Sequence, residues 1–346
     1  MRVALLGVGL IGGSIGLAAR ERLGAHVVGW NRSPAVLETA LEMGAIDEAV
    51  SALDDIGDAD VAIAGVSVDA LPGAVRDLCE RLPGAVVSDV GSTKQALVAA
   101  VGREHFIGGH PLAGAESTGV AHARADLFQD ATWYLTPTDR TPGVLYERLA
   151  RFVAGLGAVP TAIDPGDHDR LMAAVSHLPH VVANLLVAQA ADALGGETLP
   201  ATGPSFRDAT RVAGANPALW EQIYRANATA LGAQIDDLVR RLGEVRELLA
   251  DGDLAAWQQQ AATRRAALLE VGLTGGAVRE IRASVPNRPG VVAQLALELG
   301  RAGINITDMS LAPEADNRTG MIALWVPAGD AERAIELVAG LGFPAA

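Results

Sequence analysis

Arg2-Val3-Ala4-Leu5-Leu6-Gly7-Val8-Gly9-Leu10-Ile11-Gly12 is the stretch on which the reading of this chain turns. An apolar run of strand length, Arg2 to Leu6, ends in a G-x-G-x-x-G spacing at Gly7, Gly9 and Gly12, and an apolar-faced helix follows to about Leu23. A second strand is expected at His26 to Trp30. In that setting the three glycines act differently. The first permits a tight turn, the second lets backbone approach a pyrophosphate, and the third lets the helix pack on the strand. Gly7, Gly9, Leu10, Ile11 and Gly12 are therefore expected to cradle a dinucleotide, whose phosphates would face the unpaired N–H groups of the helix start. The same glycines argue against a signal peptide or membrane span over Val3 to Ala19. They would weaken a continuous helix, and Arg20-Glu21-Arg22 follows without a polar processing region. The expected location is cytoplasmic.

The alternation continues outward. Val61 to Val66 reads as a strand, a helix runs to about Leu82, and Ala85 to Val90 reads as another strand, which together describe a Rossmann-type doubly wound parallel sheet of the α/β class. Ligands of such sheets bind at the carboxyl ends of the strands, which brings Val66 towards the cofactor. About twenty residues beyond the glycines, NAD enzymes usually carry an acid for the ribose hydroxyls. Here the second strand ends Trp30-Asn31-Arg32-Ser33, with no acid. Asn31, Arg32 and Ser33 are the expected ribose-side contacts, and the pair Arg32 and Ser33 favours NADP over NAD.

Composition bounds what else the protein can be. At roughly 150 residues per domain, 346 residues suggest about two domains. Half the residues are hydrophobic and 20% are charged, which excludes a disordered chain. The net charge of −14 repels phosphate backbones and anionic lipid, so neither nucleic acid nor membrane is an expected partner. The single cysteine, Cys79, cannot form an internal disulfide. Lys94 is the only lysine among 27 basic residues.

That lysine lies in Gly91-Ser92-Thr93-Lys94, a strand-to-helix loop on the cofactor side of the sheet. Gly108-Gly109-His110-Pro111-Leu112-Ala113-Gly114-Ala115-Glu116 follows, and its glycines and proline place His110 in a rigid, close-packed loop. A histidine there suits proton handling beside a nicotinamide ring. A long helix over Asp164 to Asn184 carries Asp167-His168-Asp169 and Ser176-His177-Leu178-Pro179-His180. Helical spacing puts His168, Ser176 and His180 on one side with His177 rotated away, and Pro179 should kink the helix. The histidines are read as a polar stripe lining a cleft; no acidic or cysteine ligand motif accompanies them, so no metal is expected. Phe206-Arg207-Asp208-Ala209-Thr210-Arg211 then precedes a helix starting near Asn216-Pro217, and its arginines suit a carboxylate substrate.

Taken together and in this order, Gly-Ser-x-Lys, the Gly-Gly-His-Pro-x-Ala-Gly-x-Glu loop, Ser-His-Leu-Pro-His and Asp-x-Thr-Arg resemble the prephenate/arogenate dehydrogenases of tyrosine biosynthesis over about residues 1 to 275. The resemblance implies a dinucleotide domain, here 1–163, followed by an all-helical substrate and dimerisation domain, here 164–275, in a homodimer. It implies hydride transfer from the carbinol carbon of prephenate to NAD(P) with loss of CO2, giving 4-hydroxyphenylpyruvate. By motif position His110 would take up the proton of the ring hydroxyl, with Ser92 orienting both His110 and the hydroxyl, and Arg211 would grip a carboxylate. His168, Ser176 and His180 would line the substrate pocket, Glu116 and Asp208 would form an ionic gate with Arg211, and Lys94 would lie at the cofactor. Arogenate, which carries an amine where prephenate has a ketone, remains an alternative. A hydroxyacid-type dehydrogenase is a further one, although such enzymes usually need a lysine or an acid in the helical domain, and that domain has no lysine.

Beyond a Thr274-Gly275-Gly276 linker, residues 279–346 read as strand (Glu280 to Val285), helix (Gly290 to Ala302), strand (Ile304 to Leu311), strand (Gly320 to Val326) and helix (Ala331 to Gly340), a small α+β sandwich. Pro286-Asn287-Arg288-Pro289-Gly290 and Gly303-Ile304-Asn305-Ile306 resemble an ACT domain, the amino-acid-sensing module of biosynthetic enzymes. That implies an effector site at Asn287, Gly290 and Asn305, with tyrosine as the effector; a module that only assembles subunits is the alternative.

Overall fold

The computed structural model describes residues 1–114, 117–193, 203–270, 278–313 and 318–345. It divides into two compact units, one of Met1–Met172, Ala215–Ala226 and Val278–Ala346, the other of Ala173–Gly214 and Asn227–Ala277. The expected boundaries cut the chain differently, because residues 164–172, residues 215–226 and the C-terminal module all pack with the dinucleotide domain.

The first unit opens with β1 (Arg2–Leu6), α1 (Leu10–Leu23), β2 (His26–Trp30), α2 (Pro34–Glu42), β3 (Glu48–Ala49), β4 (Val61–Ala64), α3 (Leu71–Arg81) and β5 (Val86–Asp89). These strands form one parallel sheet in the order β3-β2-β1-β4-β5. Helices cover both faces of such a sheet, which is why β1 and β4 are almost uninterrupted runs of buried apolar residues and β5 is buried throughout. The strand order reverses between β1 and β4, and a crevice opens there at the carboxyl ends. α1 starts at Gly9 without a side-chain cap and stops at Gly24, whose φ of 58° is left-handed.

A second sheet follows. α4 (Gln95–Val101), β6 (Gly108–Pro111), β7 (Thr132–Thr136), α5 (Gly143–Gly155), β8 (Val159–Ala162) and α6 (Pro165–Met172) succeed one another, with β6 antiparallel and β8 parallel to the central β7. His110 is thus on a strand opposite Tyr134, where the composition suggested a loop. The glycines there serve close approach, not a turn: a Cβ on Gly109 would come 2.5 Å from the carbonyl oxygen of Asp89, and one on Gly108 would overlap Thr136.

The helices α7 (Leu178–Ala193), α8 (Pro204–Thr210), α9 (Pro217–Ala226), α10 (Ala228–Asp251) and α11 (Leu254–Glu270) come next. α9 belongs to the first unit, where Gln222 Oε1 accepts a bond from the Asp69 N–H at 3.4 Å. The others make the second unit, together with a π-helical turn at Ala173–His177. The disturbance expected from Pro179 takes this form. The 3.6-residue arithmetic that grouped His168, Ser176 and His180 does not carry across a π turn. From Pro165 to Ala193 the helical run is 29 residues, long and apolar enough by length and composition to cross a bilayer, with 22% of its most apolar window buried.

The C-terminal module contains β9 (Val278–Pro286), α12 (Val291–Arg301), β10 (Asp308–Pro313), β11 (Thr319–Pro327) and α13 (Ala331–Gly340). Its antiparallel sheet has the order β10-β11-β9, as a βαββα sandwich requires. β10 begins at Asp308, later than expected, and Ile304 and Ile306 are buried ahead of the strand. The linker expected at residues 274–276 lies outside the described residues. The module seats closely on the second sheet and α5. A Cβ on Gly143 would come 2.7 Å from Val292, one on Gly300 would overlap the Ala162 carbonyl, and Arg151 Nη2 donates to the Met309 carbonyl at 2.9 Å.

Candidate active site

The crevice at the strand reversal has a volume of 440 Å³ and is lined by Gly7, Gly9, Trp30, Asn31, Arg32 and Val66 among others. The fit to a dinucleotide can be tested on the glycines. Gly7 has φ +97° and a Cβ there would come 2.5 Å from the Gly65 carbonyl, while one on Gly12 would overlap the Gly7 carbonyl. A Cβ on Gly9 would meet nothing within 4 Å, so at this position the backbone borders open space. The uncapped N–H groups of α1, beginning at Leu10 and Ile11, complete an anion cradle. At the end of β2, Asn31 Oδ1 accepts the N–H of Ser33 at 3.0 Å, which leaves the amide nitrogen of Asn31 as its donor, and Arg32 is exposed beside it.

Three side chains form a relay in the same unit. Asp169 Oδ1 lies 2.8 Å from His168 Nδ1, and His168 Nε2 lies 2.9 Å from His110 Nδ1. A carboxylate only accepts, so His168 carries its hydrogen on Nδ1. Burial holds the His168 pKa below its ordinary value against the opposing pull of Asp169, so the ring is neutral at pH 7 and Nε2 is an acceptor. His110 must then donate from Nδ1, which makes its Nε2 the lone-pair nitrogen. Tyr134 packs edge-on against His168 at 5.7 Å between ring centroids and limits its rotation. Asp169 is itself immobilised, for it accepts the N–H groups of Lys94 at 2.8 Å and Gln95 at 2.9 Å at the start of α4.

Two expected contacts need correction. His168 spends both ring nitrogens on Asp169 and His110, so it orients His110 instead of lining a substrate pocket. Lys94 is fully buried with its ammonium on Asp89, and it does not line the cofactor crevice. Ser92 sits half-buried in the β5–α4 loop. Asp169 and Asp89 were missed as site residues. Asp89 had a signal, since it is a charge at the end of a buried strand; Asp169 had only its place beside His168.

In the second unit His180 Nδ1 donates to the Ser176 carbonyl at 3.0 Å, and burial lowers the His180 pKa with a further push from Arg211. Arg211 and Asp208 are exposed, at and just before the turn that follows α8. His177, which the spacing rotated away, is buried against Asn227 at 3.1 Å. Glu116 lies outside the described residues. In the C-terminal module the Gly290 N–H donates to the Thr141 carbonyl at 3.1 Å, so this expected effector contact is taken up by the dinucleotide domain. The Asn287 N–H donates to the Arg318 carbonyl. Asn305 Oδ1 is buried with no hydrogen-bond partner among the described residues.

A pyrophosphate cradle and, in the same unit, a histidine held in its accepting tautomer are the parts of an alcohol oxidation by hydride removal: the chain is an NAD(P)-dependent dehydrogenase. Its relatives narrow the class. Residues 15–161 match the family model of the prephenate dehydrogenase nucleotide-binding domain, residues 164–260 that of the prephenate dehydrogenase dimerization domain, and residues 279–339 that of the ACT domain. The prephenate dehydrogenase of Bacillus subtilis is 30% identical, over 96% of this chain and 95% of its own. Among solved structures, prephenate dehydrogenase from Aquifex aeolicus, in complex with hydroxyphenyl propionate and NAD+, is similar with a TM-score of 0.73 at 27% identity, over 78% of this chain and 98% of that one. Synechocystis arogenate dehydrogenase has a TM-score of 0.69 at 28% identity, over 78% and 99%. The chain belongs to the prephenate dehydrogenase family.

Proposed function

We propose that the chain oxidises prephenate to 4-hydroxyphenylpyruvate and CO2. The observation that carries this reading is the Asp169–His168–His110 relay, which supplies a proton acceptor of fixed tautomer. His110 Nε2 accepts the hydrogen of the ring hydroxyl and takes its proton as the carbinol carbon loses hydride. The bound nicotinamide supplies the hydride acceptor. Loss of the ring carboxylate as CO2 then leaves an aromatic ring, so the protein chiefly positions and polarises. Ser92 orients the hydroxyl and His110. Arg211 holds a carboxylate, with Ser176, His180 and Asp208 in the same unit to line its surroundings.

For the cofactor, Arg32 and the missing acid at Asn31 support NADP over NAD. For the C-terminal module, the unpartnered Asn305 oxygen supports an amino-acid effector, with tyrosine, the end product, as the ligand. For assembly, the exposed Val175, Leu185, Val239 and Leu242 of the second unit support a homodimer in which a second copy covers them. A four-way assay, prephenate and arogenate each with NAD and NADP, tests substrate and cofactor together. Prephenate with NADP should give the highest kcat/KM; preference for arogenate would reassign the substrate, and preference for NAD the cofactor.

A further inference from the structure

The one lysine of the sequence stands where the structure leaves little room for an arginine. Lys94 and Asp89 are each 0% exposed, and the ammonium meets Asp89 Oδ2. The lysine stem is tightly walled: a Cβ on Gly108 would come 3.0 Å from its Cδ, and one on Gly91 would come 3.6 Å from its Nζ. A planar guanidinium needs more width than an ammonium.

The carboxylate facing this ammonium also holds backbone. Asp89 Oδ2 accepts the Gly91 N–H at 2.8 Å, and Oδ1 accepts the Gly109 N–H at 3.0 Å. Gly91 immediately precedes Ser92 and Gly109 immediately precedes His110. One side chain thus ties together the two segments that carry the reaction, across 20 residues of sequence. A carboxylate so deeply buried persists only beside a compensating charge. The backbone of Lys94 extends the same arrangement, because its N–H bonds Asp169 of the relay.

Resting on the roles proposed above for Ser92 and His110, we infer that Asp89 and Lys94 are a positioning pair for the oxidation: the carboxylate sets the spacing of the two catalytic segments, and the lysine, as its buried partner, holds that carboxylate in place. Both residues are fully buried and neither lines the cofactor crevice, so the pair acts on kcat.

The charge-neutral double variant Asp89→Asn/Lys94→Met preserves volume and removes both charges. Its kcat with prephenate should fall roughly 100-fold, the scale of an ångström of misplacement, while KM, the NAD(P)H Kd from fluorescence titration and the Tm stay near wild type. Wild-type kcat in the folded double variant would overturn the inference, and so would parallel loss of cofactor binding and Tm, which marks a fold element only. Lys94→Arg, which keeps the charge, provides a second route: it should lose kcat while still binding cofactor, and full activity would overturn the steric argument. His110→Asn separates the two levels. If that variant retains kcat, the proposed role of His110 fails and takes the pair with it; if it loses kcat while the double variant does not, the pair alone fails. Combined in one chain, the two lesions should be less than multiplicative, because one acts through the other; simple multiplication would refute the coupling.

Discussion

His168 is a neutral, fully buried imidazole, and that gives the protein a pH signature separable from catalysis. Its folded pKa lies below the unfolded value of about 6.5, chiefly because burial disfavours the charged ring. The unfolded chain therefore binds the extra proton more readily. This contribution to stability is fully present above about pH 6.5 and is lost as pH falls from there through the folded value. The Tm of wild type should drop more steeply between about pH 7 and 5 than that of His168→Asn, and equal slopes would show that the ring is not held neutral. At this scale the sequence nominated residues but not their wiring. Residue type and loop context sufficed to nominate His110 and His168. The hydrogen bond between them joins residues 58 apart and depends on a sheet that local pattern does not display.

At the scale of elements, the β1-α1-β2 unit was legible because each step is local: an apolar strand, a glycine turn, a helix and a second strand follow within thirty residues. The second sheet was not. β6 is written Gly-Gly-His-Pro, whose composition reads as a turn, yet the glycines are there because β5 and β7 press against the strand from two sides. Likewise the π turn at Ala173–His177 defeated a count based on regular helix. Where the glycine logic is explicit it can be tested. Gly12→Ala would drive its methyl into the Gly7 carbonyl and lift the start of α1 away from the crevice. The dinucleotide Kd should rise roughly tenfold or more, about 1.4 kcal/mol, as read by fluorescence titration, with the far-UV spectrum unchanged. Unaltered affinity would mean that the cradle does not carry the phosphates.

For the whole molecule, three domain types were readable from motif order, but their packing was not. The sequence shows the C-terminal module only as a small α+β sandwich beyond a linker. It is instead seated on the dinucleotide domain through Gly290, Val292, Gly300 and Met309. Deleting residues 278–346 would therefore uncover Gly143 and Ala162, and it should lower Tm as well as remove effector control. A truncated enzyme with wild-type Tm would show that this seat contributes nothing to stability. Point variants at Asn305 are the cleaner probe of inhibition.

The seat has a further consequence in time. Gly300 presses on Ala162, and Arg301 lies 3.7 Å from Asp167, next to His168. The ribosome emits residue 168 long before residue 301, and at about 5–20 residues per second the interval is roughly 7–27 s. During synthesis the helix that carries His168 and Asp169 waits for this neighbour, and a nascent chain released before that point lacks the contacts of α12 with Ala162 and Asp167.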